Sequence, residues 1–231
     1  MGISYNPSIV TSGLVVYLDA GNTKSYPGSG TVWSDISRNG VNANLTGSPL
    51  FTTTALGGLT FSTDPTWAAG GYADIPHSVS IANITTFTLS FGIFSTGTQS
   101  SNGASVFHKG NESTTGFICE PINDSIRINY GNGSSWFWET ITTPLTHNTP
   151  AIYDIVYNGT QLKIYKNGVE LSSNTVVIAW DNTNVIRIGR RRGHLQHYLY
   201  GTIFFEKFYN RVLTPEEILE NFNAARGRYG I

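Results

Sequence analysis

The chain has 231 residues and a net charge of −1, enough length for one sizeable core and too little positive charge to bind nucleic acid by bulk electrostatics. Only 13% of residues are charged while Gly alone numbers 25, a balance that favours turns over long solvated helices. Cys119 is the sole cysteine, which excludes an intrachain disulfide and a cysteine-based metal site.

The opening "MGISYNPSIVTSG" has no basic region followed by an apolar run, so no signal peptide is expected. Asn6 stands where N-myristoylation of Gly2 would want Ser or Thr. No apolar run approaches membrane-spanning length, so no membrane insertion is expected. Residues 1–12 read as a short polar arm, suited to lying along a neighbour by strand addition. Residues 13–231 read as a single domain.

"LVVYLD", from Leu14, reads as the first strand. The segment Ala20 to Gly58 is dense in Gly, Asn, Ser and Pro and reads as loops. Tyr26, Trp33, Trp67 and Tyr72 read as anchors for such loops. "FTLSFGIF" alternates Phe87, Leu89, Phe91 and Ile93 against Thr88, Ser90 and Gly92, the pattern of a half-buried antiparallel strand. "GFICEP" places Cys119 in a strand as a buried, inert thiol. "SIRINY" alternates in the same way. "WFWE" puts Trp136 and Trp138 on one strand face, a candidate platform for sugar rings or a subunit contact.

"IYDIVYNGTQLKIYKNGVEL" carries Asn158-Gly159 and Asn167-Gly168, two turn signals that predict a three-stranded meander. "NVIRIG" and "YGTIFFEKFYN" supply the last strands. Between them Arg190, Arg191 and Arg192, with Arg187, form the one dense cationic run. It is either a solvated hairpin tip or an interface for an acidic capsid surface or an anionic polysaccharide.

The ending "TPEEILENFNAARGRYGI" predicts a helix over about 215–225. Thr214 serves as N-cap, Pro215 as first residue and Glu217 as the capping-box partner. Ile218, Leu219 and Phe222 form its apolar stripe and Gly227 lies just past its end. So short a helix must pack on the rest of the fold, and it is expected to close an open end.

Taken in order, several stretches resemble laminin-G-like, concanavalin A-like lectin/glucanase domains over roughly Ser12 to Gly230. They are "GLVVYLDAGNTKSYPGSGTVWSDISRNGVNANL", "GLTFSTDPTWAAGGYADIP", "FTLSFGIF", "YDIVYNGTQLKIYKNGVEL" and "YGTIFFEKFYNRVLTPEEI". The details "VYLDAGNTKSYPGSGTVWSDIS" and "NFNAARGRYGI" are most similar to versions in tailed-bacteriophage virion proteins, structural or tail-associated. The resemblance implies an all-β, two-sheet antiparallel jelly-roll sandwich with a short C-terminal helix. It implies a non-enzymatic virion protein, a capsid decoration or surface projection synthesised in the host cytoplasm. Its partners would be other virion subunits and further copies of itself. A second reading is a carbohydrate-binding module for host surface glycan, as in a tail or fibre adhesin. A third is a glycan hydrolase.

Hydrolases of this fold carry E-x-D-x-E or E-x-D-x-x-E on one strand. Neither occurs here, and Glu112, Glu120 and Glu139 lie in different patterns. His194 and His197 are three apart in a segment that reads as loop. Related domains hold calcium through hard oxygen ligands, which the resemblance would assign here to Asp19, Asp35, Asn39 and Asn42. The family's closing strand carries an acid where this chain has Phe205, and Glu206 falls on the opposite strand face. No cofactor or metal is therefore favoured.

Overall fold

The computed structural model describes residues 8–53, 57–66, 68–99, 104–194 and 197–231, with backbone alone at 139–141. Trp67 and residues 1–7 of the expected arm lie outside them.

Two antiparallel sheets face each other. The first runs β14 (Val169–Thr175), β13 (Gln161–Lys166), β12 (Ala151–Tyr157), β7 (Phe87–Ser95), β16 (Gly201–Tyr209), β5 (Gly58–Ser62) and β4 (Leu50–Thr52); β1 (Leu14–Asp19) also pairs with β16. The second runs β11 (Trp136–Pro144), β10 (Ser125–Gly131), β9 (Gly116–Ile122), β8 (Phe107–Gly110), β15 (Ile186–Ile188), β6 (Tyr72–Ile75), β3 (Ala43–Thr46) and β2 (Val32–Trp33). This is the jelly-roll sandwich expected. Ala20 to Gly58 is not loop throughout, because β2, β3 and β4 lie within it. They are short strands at or next to a sheet edge, and on β3 the outward residues Asn44 and Thr46 are polar, so the segment resembles a loop in sequence.

The alternation in β7 is real. Phe87, Leu89, Phe91 and Ile93 lie in the main core, where Phe87 meets Phe117 edge-on at 5.0 Å and stacks on Phe208 at 5.8 Å. Trp33 and Tyr26 are buried in the same core. Cys119 points into it, and burial pushes its thiol well above the ordinary range, with Glu206 and Glu120 adding to the effect. Asn167 (φ 51°) and Gly168 (φ 81°) make the two-residue turn between β13 and β14. The turn at Asn158 is longer: its Oδ1 accepts from Thr160 N and Gln161 N, and only Gly159 has positive φ.

The helix, α1 (Pro215–Tyr229), has the predicted capping box: Glu217 N–H donates to Thr214 Oγ1 and Thr214 N–H donates to Glu217 Oε2. It runs four residues past its expected end. Gly227 lies inside it, and Gly230, at φ 70°, is the left-handed cap. Leu219 is exposed, since the buried stripe is Ile218, Asn221, Phe222 and Tyr229.

The helix does not close an open end. It lies on the outer face of the first sheet, and the cause is a register shift in β16 between Ile203 and Phe205. Phe204 and Phe205 both pack with Phe222 and Tyr229 on that outer side, and Tyr229 stacks on Phe204 at 4.7 Å. Past the shift Glu206 comes opposite Phe91, a core residue. Its fully buried carboxyl makes no hydrogen bond, and burial pushes its pKa well above the carboxylate range. Beneath the helix Asp154, Ser90 and Lys207 stand in register across β12, β7 and β16. The segment leading into β1 is tied to the same layer: Val10 N donates to Asn221 Oδ1 and Tyr209 Oη donates to Val10 O.

Candidate functional site: the outer face of the second sheet

The helix covers part of the first sheet's outer face, around Ile152, Phe204 and Phe205, whereas the second sheet's outer face carries no α-helix among the described residues. Strand alternation decides what stands there. Phe137 stacks on core-facing Tyr130 at 5.1 Å, so its neighbours Trp136 and Trp138 point the other way, as expected. Their rings meet edge to face at 5.6 Å. Next to them on β10, Arg127 and Asn129 alternate with core residues Ile126 and Ile128. Directly opposite Arg127 on β9 is Glu120. Arg127 Nε and a terminal nitrogen both donate to Glu120 Oε1, at 2.8 and 2.6 Å, and Asn129 donates to the same oxygen. Burial pushes the Glu120 carboxyl up, and the Arg127 charge opposes that rise.

Further across the face Arg187 lies opposite Asp74 and forks it at 2.8 and 2.7 Å. The guanidiniums of Arg187 and Arg190 both lie against the Tyr72 ring, at 4.1 and 4.2 Å. Tyr72 is therefore a stacking residue of β6 rather than a loop anchor.

The arginine run does not form one free cationic tip. Arg191 is buried; it donates through Nε to Glu112 Oε1 at 2.9 Å and through a second nitrogen to Oε2, and its guanidinium stacks on Trp138 at 4.5 Å. Arg190 donates to Tyr198 Oη at 3.0 Å. Arg192 donates its backbone N–H to His108 Nδ1 at 2.9 Å and a side-chain N–H to Gly110 O at 3.1 Å. Adjacent residues diverge because the segment leaves Gly189 in a left-handed conformation (φ 88°) and crosses the sheet face. His108 is fully buried, and burial with the Arg192, Arg191 and Arg187 charges holds its pKa well below the ordinary histidine range. The neutral ring accepts at Nδ1 and carries its proton on Nε2, 3.5 Å from Glu112 Oε1. His108, Gly110, Asn111, Glu112, Arg192 and His194 line a cleft of about 330 Å³ that shares Glu112 with the Arg191–Trp138 stack.

This architecture agrees with a family model. The model for the concanavalin A-like lectin/glucanase superfamily matches residues 68–219. The chain belongs to that superfamily. No curated protein matches it. Among solved structures, the binding domain of Paraclostridial mosquitocidal protein 1 superposes with a TM-score of 0.70 at 14% identity, covering 92% of this chain and 52% of that one. Domain 4 of AbnA, a GH43 extracellular arabinanase from Geobacillus stearothermophilus, in complex with arabinotriose, gives 0.68 at 13% identity, with 91% and 98% covered. Trypanosoma rangeli sialidase in complex with sialic acid gives 0.68 at 19% identity, with 95% and 34% covered. The chain thus spans about half of the first and a third of the last, and at these identities the likeness is one of fold.

Of the four residues that the superfamily resemblance assigned to calcium, Asp35, Asn42 and Asp19 have side-chain oxygens engaged in hydrogen bonds within the fold. Asp35 Oδ1 accepts from Tyr17 N and Ser37 N, and its Oδ2 accepts from Ser37 Oγ and Val41 N. Asn42 Oδ1 accepts from Asp35 N. Asn39 donates through Nδ2 to the carbonyls of Leu14 and Val15. Asp19 is held by Arg228 at 2.7 Å and by Tyr17 Oη. Asp35, Asn39 and Asn42 thus brace the loop between β2 and β3, and Asp19 ties the end of β1 to α1. Among the described residues no group of three or more His, Cys, Asp or Glu is placed to hold a metal ion. His194 and His197 lie ring to ring at 5.6 Å.

Ser95, His147 and Asp124 form a hydrogen-bonded row, Oγ to Nδ1 at 2.8 Å and Nε2 to Oδ1 at 2.9 Å. Ser95 is fully buried and its hydroxyl lies 3.0 Å from Gly97 O. The row braces a turn, and its hydroxyl is closed to a substrate.

Glu112, Glu120, Arg127, His108 and Tyr72 were not singled out as a group from the sequence. The signal available was the polar residues alternating with core residues in "SIRINY" and "GFICEP", which put Arg127 and Glu120 on one face of neighbouring strands.

Proposed function

We propose that this chain is a non-catalytic carbohydrate-binding module whose glycan lies along the outer face of the second sheet, against Trp138 and Trp136. The observation that carries this reading is Trp138. Its residue surface is 47% exposed although the Arg191 guanidinium, fixed by Glu112, is stacked on its ring. An open indole held rigid by a buried ion pair is a preorganised stacking surface for a sugar ring. The carboxylates described on this face support a binding role over hydrolysis. Glu112, Glu120 and Asp74 are each engaged by a guanidinium, whereas a glycosidase needs an acid and a base facing the scissile bond. The arabinotriose complex of the similar AbnA domain supports the same reading.

The resemblance to tailed-phage proteins adds a setting. In it the module is a decoration or surface projection on a virion, present in several copies, held by other virion subunits and turning its second sheet outward. That setting rests on the sequence resemblance alone.

A glycan array probed with the parent protein and with Trp138→Ala tests the binding role. We expect selective binding by the parent and a loss of about tenfold or more in the variant, the scale of roughly 1.4 kcal/mol of stacking. An array without binding, or equal binding by a folded Trp138→Ala protein, would remove the proposal.

A further inference from the structure

We infer that the saccharide bound on this face is anionic, and that the cleft between β8 and the 190–194 segment receives its carboxylate or sulfate group. The inference rests on the proposed glycan-binding reading and names the chemistry of its ligand.

Three observations lead to it. The first is continuity. Glu112 both lines the cleft and fixes Arg191 on Trp138, so a sugar next to one stacked on Trp138 lies over the cleft. A volume of about 330 Å³ falls within the range of small-ligand sites.

The second is the charge count on this face. Arg127 is matched by Glu120, Arg187 by Asp74 and Arg191 by Glu112. Arg190 and Arg192 have no carboxylate partner among the described side chains. Arg190 is taken up by Tyr72 and Tyr198. Arg192 is partly exposed at the cleft wall and satisfies Gly110 O through one side-chain nitrogen, while a guanidinium carries five N–H donors in a fork that fits a carboxylate or sulfate.

The third is a buried donor without a partner. His108 is fully buried, its Nδ1 is occupied by Arg192 N–H, and its Nε2 makes no hydrogen bond. Its nearest acidic oxygen, at 3.5 Å, belongs to Glu112, which Arg191 already forks. A buried donor left unsatisfied is costly, and this one stands in the wall of the cleft beside an unmatched guanidinium. The cleft is thus rich in donors and short of acceptors, and an anionic oxygen supplies what it lacks. A neutral sugar hydroxyl can accept one such bond but leaves the Arg192 charge unmatched.

The test is an array of matched pairs: uronate-, sialate- and sulfate-bearing oligosaccharides, each beside the neutral counterpart that lacks the acidic group. The parent protein should prefer at least one acidic member over its counterpart by about tenfold or more, and which member wins identifies the group as carboxylate or sulfate. Arg192→Gln should abolish that preference, lowering the affinity for the acidic member far more than that for its neutral counterpart, and Arg192→Lys should restore part of it. Neutral members bound as well as acidic ones would overturn the anionic inference and leave the glycan reading standing, as would a preference that survives Arg192→Gln. No binding by either member of any pair would overturn both. Should Arg192→Gln misfold, raising the salt concentration on the parent gives the same comparison, since the acidic preference should shrink and the neutral affinity should not.

Discussion

Lys207→Met should destabilise the protein by about 1–3 kcal/mol at pH 8, because the buried Asp154 carboxyl, which makes no hydrogen bond, loses the attraction of the Lys207 charge. Lys207 and Asp154 are each about 1% exposed and stand on either side of Ser90 under the helix. Burial pushes Asp154 up to about 6, against the attraction of Lys207. Burial pushes Lys207 down to about 8, against the attraction of Asp154 and Asp19.

The signs then fix a pH window. Asp154, with a raised folded pKa, contributes stability that is full below its unfolded value of 3.8 and lost as pH rises through about 6. Lys207, with a depressed folded pKa, contributes stability that is full above its unfolded value of 10.5 and lost as pH falls through about 8. Between about 6 and 8 both are charged, and the pair costs the fold the most. In Lys207→Met the lone Asp154 is neutral at pH 5 and the buried Lys207 charge is gone, so the variant should be at least as stable as the parent at pH 5 and weaker at pH 8. The double variant Asp154→Leu/Lys207→Met should match or exceed the parent. Urea unfolding of all three proteins across this range measures it. A single variant as stable as the parent at pH 8, or a double variant weaker than the single, would show that the two charges are not coupled.

Gly189→Ala should cost roughly 3 kcal/mol, the sum of left-handed backbone strain and overpacking. At φ 88° an added Cβ would lie 2.1 Å from Phe61 Cδ1 and 2.6 Å from its Cγ. Phe61 is a core residue with 1% exposure and cannot swing aside. The backbone cannot yield either: Gly189 N donates to Ser105 O and Leu199 N donates to Gly189 O, both at 2.7 Å. This glycine also launches the arginine segment across the second sheet, so the variant should lose glycan affinity as well as stability. A loss below about 1 kcal/mol in urea unfolding would mean that the turn relaxes freely and does not fix the site.

Local signals in the sequence were dependable wherever the structure is local. The alternation around Phe87 to Ile93, the Asn167-Gly168 turn and the Thr214–Glu217 capping box each need only a few neighbouring residues, and each reappears in three dimensions. The position of the helix depended on a register shift between Ile203 and Phe205, which no periodicity announces because it breaks periodicity. The strands within Ala20 to Gly58 were hidden by their shortness, two to four residues each among Gly, Asn, Ser and Pro, and in β3 by its polar outward residues. At the candidate site, the Trp136 and Trp138 pairing was legible from strand alternation. The fate of the arginines was not, since Glu112 lies 79 positions from Arg191 and the pairing exists only once β15 lies beside β8. A run of three cations looks like a surface patch until the fold supplies a carboxylate for one, an aromatic ring for another and a cleft for the third.

The most direct measurement is a crystal structure of the protein bound to the tightest oligosaccharide from the array. The account predicts a sugar ring against Trp138 on the outer face of the second sheet, with an acidic group within hydrogen-bond reach of Arg192 and the helix-covered sheet untouched. A ligand seated instead at the Asp35 loop, or on the first sheet beside α1, would contradict it.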